Sequence, residues 1–334
     1  MNKITVLGSG GWGTALAILS NSCNHKTVIW GKFKEEIENL EKTRENPLLK
    51  GVKIDEDIKL TYDNNDIKDS DVVIIATPSF AVEETADMLK DYVTDKTIIV
   101  SVAKGFEKDT LQRFSQVIKG QLPNNPVVVL SGPSHAEEVA RKIPTSIVSA
   151  SDDINAAKEI QRLLSNDYFR IYTNTDVIGV EVGAALKNII AVSAGIIKGM
   201  NLGDNTIAAI ITRGINEISK LGVAMGAERL TFAGLSGIGD LVVTCTSVHS
   251  RNRSFGVLVG QGVSIEKARE EVGTVEGYYA TASAKKLADK YNIEMPIVNE
   301  CYKILYENMN AKDAINNLMM RDNLSKNVEF LRNL

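Results

Sequence analysis

Short apolar runs alternate with amphipathic stretches through the first half of the chain. Such runs are typical of strands covered on both faces, and the stretches between them have the spacing of surface helices. The runs span residues 3–8, 27–30, 72–77, 97–102, 127–132, 145–150 and 169–174, and residues 154–164 are one of the helical stretches. This alternation predicts an α/β domain built on a doubly wound, mostly parallel sheet.

The pattern changes near residue 175. Runs rich in β-branched residues become scarce after it, and helical periodicity dominates segments such as 206–222 and 281–291. A chain of 334 residues is also long for one hydrophobic core. We therefore predict two domains, an α/β domain over residues 1–175 and an all-α domain over residues 176–334.

The most apolar long run, residues 182–197, contains a single charged residue, Lys187. The run is shorter than the ~20 residues that a helix needs to cross a bilayer. We interpret it as a helix buried inside the second domain, and we expect no membrane insertion.

Composition and charge exclude several classes of protein. Apolar residues make up 44% and charged residues 24%, an ordinary globular balance, and the net charge of −4 leaves no basic surface for nucleic acid. Cys23, Cys245 and Cys301 are an odd number without a C-x-x-C pair, so we expect neither a disulfide framework nor a metal site. The first strand begins at the third residue and leaves no room for a cleavable leader, so we expect a cytoplasmic protein.

The turn after the first strand holds three glycines in 6-VLGSGGWGTALA-17. Gly8, Gly10 and Gly13 follow the G-x-G-x-x-G spacing between an apolar strand and an Ala-rich helix. Glycine lets a ligand approach the backbone, and the N–H groups at the start of the helix attract a pyrophosphate. The sequence thus predicts a Rossmann domain that binds NAD or NADP in this turn.

The end of the second strand bears on which dinucleotide is bound. NAD-specific domains of this fold place an acidic residue there, about 20 residues after the glycines, to bind the ribose hydroxyls. This chain has 28-VIWGKF-33, with Lys32 where a 2′-phosphate would need a cation and no carboxylate before Glu35. We therefore expect a preference for NADP. The alternative is that Lys32 is a surface lysine and that the cofactor is unselected.

Lys187 is the first candidate for the chemistry. It is the only charge in its apolar run, and burial disfavours the charged form of a lysine, which suits a proton carrier near neutral pH. Gly183 and Ala191, four residues away on either side, put small side chains on the same face, which would leave room for a substrate. Two alternatives stay open: Lys187 reaches the surface from the end of a buried helix, or His135 is the general base.

Other polar residues lie where doubly wound sheets and helix starts bind ligands. Lys104 and the segment 131-SGPSHA-136 follow two predicted strands, at the ends that line the ligand crevice of such sheets. Ser250, Arg251 and Asn252 precede a short helical pattern, and a helix start beside an arginine suits a phosphate group. The alternative for each segment is an ordinary surface turn that binds no ligand.

Taken in order along the chain, these motifs resemble the bacterial type of NAD(P)-dependent sn-glycerol-3-phosphate dehydrogenase. The matching stretches are GSGGWGTALA at the first turn, VAKG around Lys104, SGPS from Ser131, GVEVGAALKN around Lys187, LSGIGDLVVTC around Asp240, SRN from Ser250 and VEG from Val275. The resemblance implies a Rossmann domain followed by a helical domain. It also implies the reversible reduction of dihydroxyacetone phosphate to sn-glycerol 3-phosphate, which feeds phospholipid synthesis.

The resemblance further implies roles for individual residues. It makes Lys187 the proton donor and acceptor at the C2 oxygen of the substrate. The residues that would contact the substrate are Lys104, Gly132, Ser134, Lys187, Asp240, Ser250, Arg251 and Asn252. Together with the glycines of the turn, Gly8, Gly10 and Gly13, those that would hold the cofactor are Gly11, Trp12, Lys32, Lys104, Ala136, Arg251, Thr274 and Glu276.

The chain departs from the family pattern at three positions. Gly11 lacks the serine side chain often found there, His135 replaces the usual aromatic residue after SGPS, and Thr274 stands where an aliphatic residue is common. Two other functions stay open. One is a 3-hydroxyacid or ketopantoate-type reductase of similar plan, which would bind a carboxylate instead of a phosphate, and the other is a dinucleotide-binding redox sensor without turnover. The oligomeric state is also open, with a homodimer as one option.

Overall fold

The computed structural model describes residues 1–320. The chain divides into two compact units, the first ending at Glu181 and the second beginning at Val182. The division falls inside a helix, Val177–Gly199, which begins just after the boundary predicted near residue 175. The predicted limits of the two domains stay a prediction, and the last residues of the predicted second domain lie outside the described residues.

One sheet organises the first unit. Its eight strands in the described chain are Lys3–Leu7 (β1), Lys26–Trp30 (β2), Lys59–Thr61 (β3), Val72–Ile75 (β4), Ile98–Ser101 (β5), Val127–Ser131 (β6), Thr145–Ala150 (β7) and Phe169–Asn174 (β8). All but β3 coincide with the predicted apolar runs, and β7 and β8 do so residue for residue. β3 has only three residues, Lys-Leu-Thr, and therefore carries no apolar run that a sequence pattern could reveal.

The order of the strands across the sheet is β3-β2-β1-β4-β5-β6-β7-β8. Neighbouring strands are parallel except for β6 and β7, which confirms the predicted mostly parallel, doubly wound sheet. The chain leaves β1 on one side to form β2 and β3, and it returns to the other side of β1 to form β4. This reversal is the switch point at which open α/β sheets bind ligands, beyond the carboxyl ends of the strands.

Helices cover both faces of this sheet. Those wholly within the first unit are Gly11–Ser22 (α1), Lys34–Thr43 (α2), Val82–Leu89 (α3), Phe114–Gln121 (α4), Ala136–Ala140 (α5) and Ile154–Leu164 (α6). α1 and α6 bury apolar side chains in one core cluster, and α3 and α4 bury theirs in a second cluster. Successive residues of β1, such as Val6 and Leu7, belong to the two different clusters. A strand with a core on each face is apolar throughout, as the sequence shows.

The second unit is helical. After Val177–Gly199 (α7), its helices are Asp204–Ala224 (α8), Asp240–Thr246 (α9), Arg251–Gly260 (α10), Ile265–Val272 (α11), Glu276–Tyr291 (α12), Pro296–Tyr306 (α13) and Ala311–Met319 (α14). A 3₁₀-helical turn at Arg229–Ala233 and a π-helical turn at Leu235–Gly239 precede α9. The helical character predicted for the second half of the chain is confirmed for the described residues.

Helix α7 corrects one step of the sequence interpretation. With 23 residues it is long and apolar enough to cross a membrane, so the length argument based on residues 182–197 was wrong. Its most apolar window is nevertheless fully buried inside the protein. α7 is therefore a core helix, as predicted.

Two glycines of the first turn provide a matched pair of variants. A Cβ added at Gly13 would lie 2.0 Å from the carbonyl oxygen of Gly8, whereas one added at Gly10 would meet no atom within 4 Å. We expect Gly13→Ala to lower the free energy of unfolding by about 1–3 kcal/mol, because α1 must move away from the turn. Gly10→Ala should cost less than about 1 kcal/mol, the penalty for alanine at a helix N-cap. Thermal unfolding of the cofactor-free protein compares the two variants, and equal losses would contradict this close contact.

Candidate active site

The glycine turn lies at the switch point between β1 and β4. Gly8 has a φ of +118°, and a Cβ there would lie 2.6 Å from the carbonyl oxygen of Ala76, directly after β4. Gly10 is the N-cap of α1 and has no side chain that could cap the helix. The first N–H groups of a helix have no intrahelical partner. A Cβ added at Gly10 would meet no atom within 4 Å, so the helix start is open at this residue. This cradle fits a pyrophosphate.

Two residues that sequence reasoning missed hold this turn. Asn46 donates from Nδ2 to the carbonyl oxygen of Ser9 at 2.8 Å and to Oγ1 of Thr14 at 2.8 Å. Glu36, in the first turn of α2, accepts a hydrogen bond from Oγ of Ser9 at 2.9 Å. Asn46 precedes a proline, a pair that marks a turn, but no local pattern shows that its side chain reaches residues 37 and 32 positions earlier.

The end of β2 carries mixed charge. Lys32, predicted to meet a 2′-phosphate, forms an exposed ion pair with Glu84 of α3, with 2.7 Å between Nζ and Oε1. The sequence interpretation of this strand end depended on the absence of a carboxylate. In the structure, however, Glu36 of α2 places its carboxylate next to Ser9 of the glycine turn. The preference for NADP therefore stays a prediction.

Other predicted residues of the first unit lie beyond the carboxyl ends of its parallel strands. Lys104 follows β5, and Gly132 and Ser134 follow β6. Gly132 has a φ of +145°, and a Cβ there would lie 2.9 Å from Cα of Ile147. Ser134 donates from Oγ to the carbonyl oxygen of Gly132 at 3.0 Å. Because β1, β4, β5 and β6 run parallel, these segments share one edge of the sheet with the glycine turn.

The starts of α1 and α5 are adjacent. A Cβ on Gly11 would lie 3.9 Å from Cβ of Ala136 and 3.3 Å from Cβ of Leu48. At Gly11, where the chain departs from the family pattern, an added side chain would therefore lie very close to Leu48. Trp12 packs against the core cluster of this face, and His135 occupies the N-cap position of α5.

Lys187 lies in a buried polar cluster of the second unit. Its Nζ donates to Oδ1 of Asp240 at 2.5 Å and to Oγ1 of Thr244 at 2.6 Å, and the Thr244 hydroxyl donates to the carbonyl oxygen of Asp240 at 2.6 Å. The side chains of Lys187 and Asp240 are only 6% and 2% exposed. The prediction that Lys187 is an isolated charge was therefore wrong. The alternative that Lys187 reaches the surface was also wrong. A carboxylate partner favours the ammonium form and opposes the effect of burial.

Close backbone contact brings the lysine and the aspartate together. Gly183 lies one turn before Lys187 on α7, and a Cβ there would lie 2.7 Å from the carbonyl oxygen of Ser236 in the π-helical turn. Asp240 begins α9 directly after that turn. The expectation that Gly183 leaves room for a substrate was wrong, because the π-helical turn occupies this space. Irregular helical turns of this kind are frequent at functional sites.

One side-chain amide ties the start of α10 to α7 and α12. Ser250 caps α10 as predicted, since its Oγ accepts a hydrogen bond from the N–H of Arg253 at 3.2 Å. Asn252 donates from Nδ2 to Oδ1 of Asn188 at 3.0 Å and accepts from the N–H of Gly277 at 2.8 Å. In this way the second unit brings together the segments that carry Lys187, Ser250, Arg251, Asn252, Thr274 and Glu276.

Glycines of α10 set its distance from α7. A Cβ on Gly256 would lie 2.1 Å from the carbonyl oxygen of Val192, and one on Gly260 would lie 2.2 Å from that of Ile196. The two helix backbones are therefore in direct contact. This contact fixes the start of α10, where Arg251 stands exposed, relative to the helix of Lys187.

The buried thiols of this unit are inert near neutral pH. Burial raises the pKa of Cys245, next to Thr244, to about 12 and that of Cys301 to about 11. Thiols with such pKa values stay protonated at neutral pH and are poor nucleophiles. Among residues 1–320, no group of three or more His, Cys, Asp or Glu side chains is placed to hold a metal ion.

A Rossmann unit with a glycine turn, followed by a helical unit with a buried lysine paired to a carboxylate, defines a two-domain NAD(P)-dependent dehydrogenase or reductase. Family profiles narrow this class. The profile of the NAD-dependent glycerol-3-phosphate dehydrogenase N-terminus matches residues 3–157, and that of the C-terminus matches residues 176–316. The chain belongs to the NAD-dependent glycerol-3-phosphate dehydrogenase family.

Individual relatives agree with this assignment. The glycerol-3-phosphate dehydrogenase (NAD(P)+) of Fusobacterium nucleatum is 50% identical over 327 residues, covering 96% of this chain and 98% of its own. A crystal structure of glycerol-3-phosphate dehydrogenase from Coxiella burnetii matches with a TM-score of 0.92 at 36% identity, covering 96% of this chain and 99% of that one. A ketopantoate reductase from Ralstonia eutropha matches with a TM-score of 0.63 at 10% identity, covering 94% and 99%, and thus shares the fold alone.

The ion pair of Lys187 and Asp240 can be tested by paired substitution. Asp240→Leu leaves a buried ammonium without its carboxylate, and we expect it to lower the free energy of unfolding by about 3–5 kcal/mol. Adding Lys187→Met replaces the whole pair by apolar side chains and should recover most of that loss. Thermal unfolding of the two variants and the wild type measures the effect. If the double variant is no more stable than Asp240→Leu, the Lys187 ammonium does not need the Asp240 carboxylate for its stability in the fold.

Proposed function

We propose that this chain catalyses the reversible NAD(P)H-dependent reduction of dihydroxyacetone phosphate to sn-glycerol 3-phosphate, which supplies glycerophospholipid synthesis. The observation that carries the proposal is the buried cluster of Lys187, Asp240 and Thr244. A ketone that is reduced by hydride needs a proton at its oxygen, and an ammonium held by two acceptors is a positioned proton source. Relatives that match nearly the whole chain bear the name of this enzyme.

The cofactor belongs at the glycine turn of the first unit. The open helix start at Gly10 would hold the pyrophosphate, since the first N–H groups of a helix have no intrahelical partner. Gly8 and Gly13 keep the turn close to β4 and α1. Lys32 would meet a 2′-phosphate by exchanging its exposed partner Glu84, which favours NADP over NAD. When bound in its reduced form, either dinucleotide would supply the hydride. The other residues assigned to the cofactor are Gly11, Trp12, Lys104, Ala136, Arg251, Thr274 and Glu276.

Lys187 performs the proton transfer. As the C2 carbonyl carbon is reduced, its oxygen gains negative charge, and the Lys187 ammonium stabilises that charge and donates one proton to the oxygen. In the oxidation of the alcohol, the neutral amine accepts the proton from the C2 hydroxyl. The carboxylate of Asp240 favours the ammonium form and thus the return of a proton from solvent, while Thr244 fixes the direction of Nζ.

The phosphate group of the substrate is bound at the start of α10. Ser250 caps this helix, and Arg251 stands exposed at its first position, where a guanidinium can form paired hydrogen bonds with phosphate oxygens. Asn252 holds the helix start to Asn188, the neighbour of the proton donor. The other residues assigned to the substrate are Lys104, Gly132, Ser134 and Asp240.

The cellular setting is part of the proposal. The three cysteines are free thiols, which suits the reducing cytoplasm predicted from the sequence. The substrate is a small molecule, as in other dehydrogenases of this family. A homodimer stays a prediction.

Replacing Lys187 tests the assigned chemistry. Lys187→Met leaves the Asp240 carboxylate unpaired and should lower the Tm, so it is assayed well below that temperature. There we expect it to bind NADPH yet lose roughly two to four orders of magnitude in kcat, the usual contribution of a positioned acid or base. His135→Phe should stay active, because the family places an aromatic residue there. Single-turnover oxidation of NADPH with dihydroxyacetone phosphate at several pH values measures both variants.

The same assay separates the alternatives. Wild-type turnover of ketopantoate in preference to dihydroxyacetone phosphate would identify the rival reductase, and no turnover at all would favour the redox sensor. Near-normal rates in Lys187→Met, or a collapse in His135→Phe, would overturn the role given to Lys187.

Charge reversal at Lys32 tests the cofactor preference. Lys32→Glu should raise the Kd of NADPH far more than that of NADH, because it sets like charges together at the 2′-phosphate. Glu84→Gln should have the opposite effect. It removes the carboxylate that pairs with Lys32 and should therefore tighten NADPH binding without changing NADH binding. Fluorescence titration of the wild type and both variants with NADPH and with NADH measures the six Kd values. Equal changes for both cofactors would remove Lys32 from the 2′-phosphate site.

A further inference from the structure

A hydrogen-bonded loop connects Lys104 to the start of α4. Phe106 and Arg113 pair as an isolated antiparallel bridge, and the N–H of Glu107 donates to the carbonyl oxygen of Gln112 at 2.9 Å. The Glu107 carboxylate accepts further hydrogen bonds from within the loop. Because Lys104 stands just before this bridge, its backbone is held by the same structure that holds Arg113.

Arg113 ends the loop in a buried ion pair with Glu181. Its Nη1 lies 2.5 Å from Oε2 of Glu181, and Ser115 donates to the same carboxylate from its N–H at 2.8 Å and from its hydroxyl at 2.6 Å. The side chains of Arg113 and Glu181 are 13% and 4% exposed. Burial raises the pKa of the Glu181 carboxyl, whereas the Arg113 charge and the Ser115 hydrogen bonds oppose this rise. Both carboxylate oxygens therefore have partners.

Glu181 belongs to α7, the helix that carries Lys187. It lies near the start of the helix, which continues without interruption through Lys187 to its last charged residue, Lys198. A buried ion pair adds little net stability compared with apolar side chains of similar size, but the loss of one partner is costly. Such a pair therefore fixes geometry more than it adds stability.

We propose that Arg113 and Glu181 are positioning residues for the reaction, because they tie the loop that holds Lys104 to the start of the helix that holds Lys187. This inference rests on the proposed function, since it concerns two lysines assigned to that reaction. Neither member of the pair contacts the substrate in this role. Without the pair the first turns of α7 lose one of their anchors, and a misplacement of about 1 Å can cost about 100-fold in rate.

The test compares Glu181→Gln, Arg113→Gln and Arg113→Lys with the wild type. Each glutamine variant removes one charge and keeps a polar side chain, whereas Arg113→Lys keeps the charge. We expect single-turnover reduction of dihydroxyacetone phosphate at saturating NADPH to slow by about 10- to 100-fold in both glutamine variants, with partial recovery in Arg113→Lys. All rates are measured well below the Tm of each variant, which is determined in parallel.

Val117→Ala is the matched control for stability. Val117 is buried on α4, and its truncation lowers the Tm without removing a charge. We expect Val117→Ala to have a lower Tm but to react at the wild-type rate. If the glutamine variants behave in the same way, the pair is only structural and the inference is overturned. A wild-type protein without turnover would instead overturn the proposed function and this inference with it, so the two failures are distinguishable.

Discussion

A buried ammonium must be paired, and this requirement shapes the helical unit. Taking a charge out of water costs several kcal/mol unless a carboxylate and hydrogen-bond acceptors replace the solvent. Asp240 and Thr244 provide those acceptors for Lys187. Because the lysine lies on α7 and its partners on α9, the cluster forms only where the two segments approach closely. Gly183 permits that approach at Ser236.

Close contact between backbones recurs wherever a charged ligand is expected. In the Rossmann unit, Gly13 lies against Gly8 and fixes the start of α1, which we propose binds the pyrophosphate. In the helical unit, Gly256 lies against Val192 and fixes α10, which begins at Arg251. Protein interiors are close-packed and resist displacement, so each contact keeps a proposed phosphate-binding group in a constant position.

Local patterns predicted most of the sheet, because strands with a core on each face are continuous apolar runs. They could not reveal β3, which is too short, and they missed contacts between residues distant in the chain. Asn46 reaches the glycine turn from a loop, and Asp240 meets Lys187 from another helix, so a residue that reads as an isolated charge is paired in the fold. The cap at Ser250 was predictable, since its partner is three residues away.

A crystal structure of the ternary complex with NAD+ and sn-glycerol 3-phosphate would locate the reacting groups. We predict that Nζ of Lys187 lies about 2.6–3.2 Å from the C2 oxygen of the substrate while its contact with Asp240 is retained. A C2 oxygen beyond the reach of Lys187, hydrogen-bonded instead to His135, would contradict the role of the buried lysine.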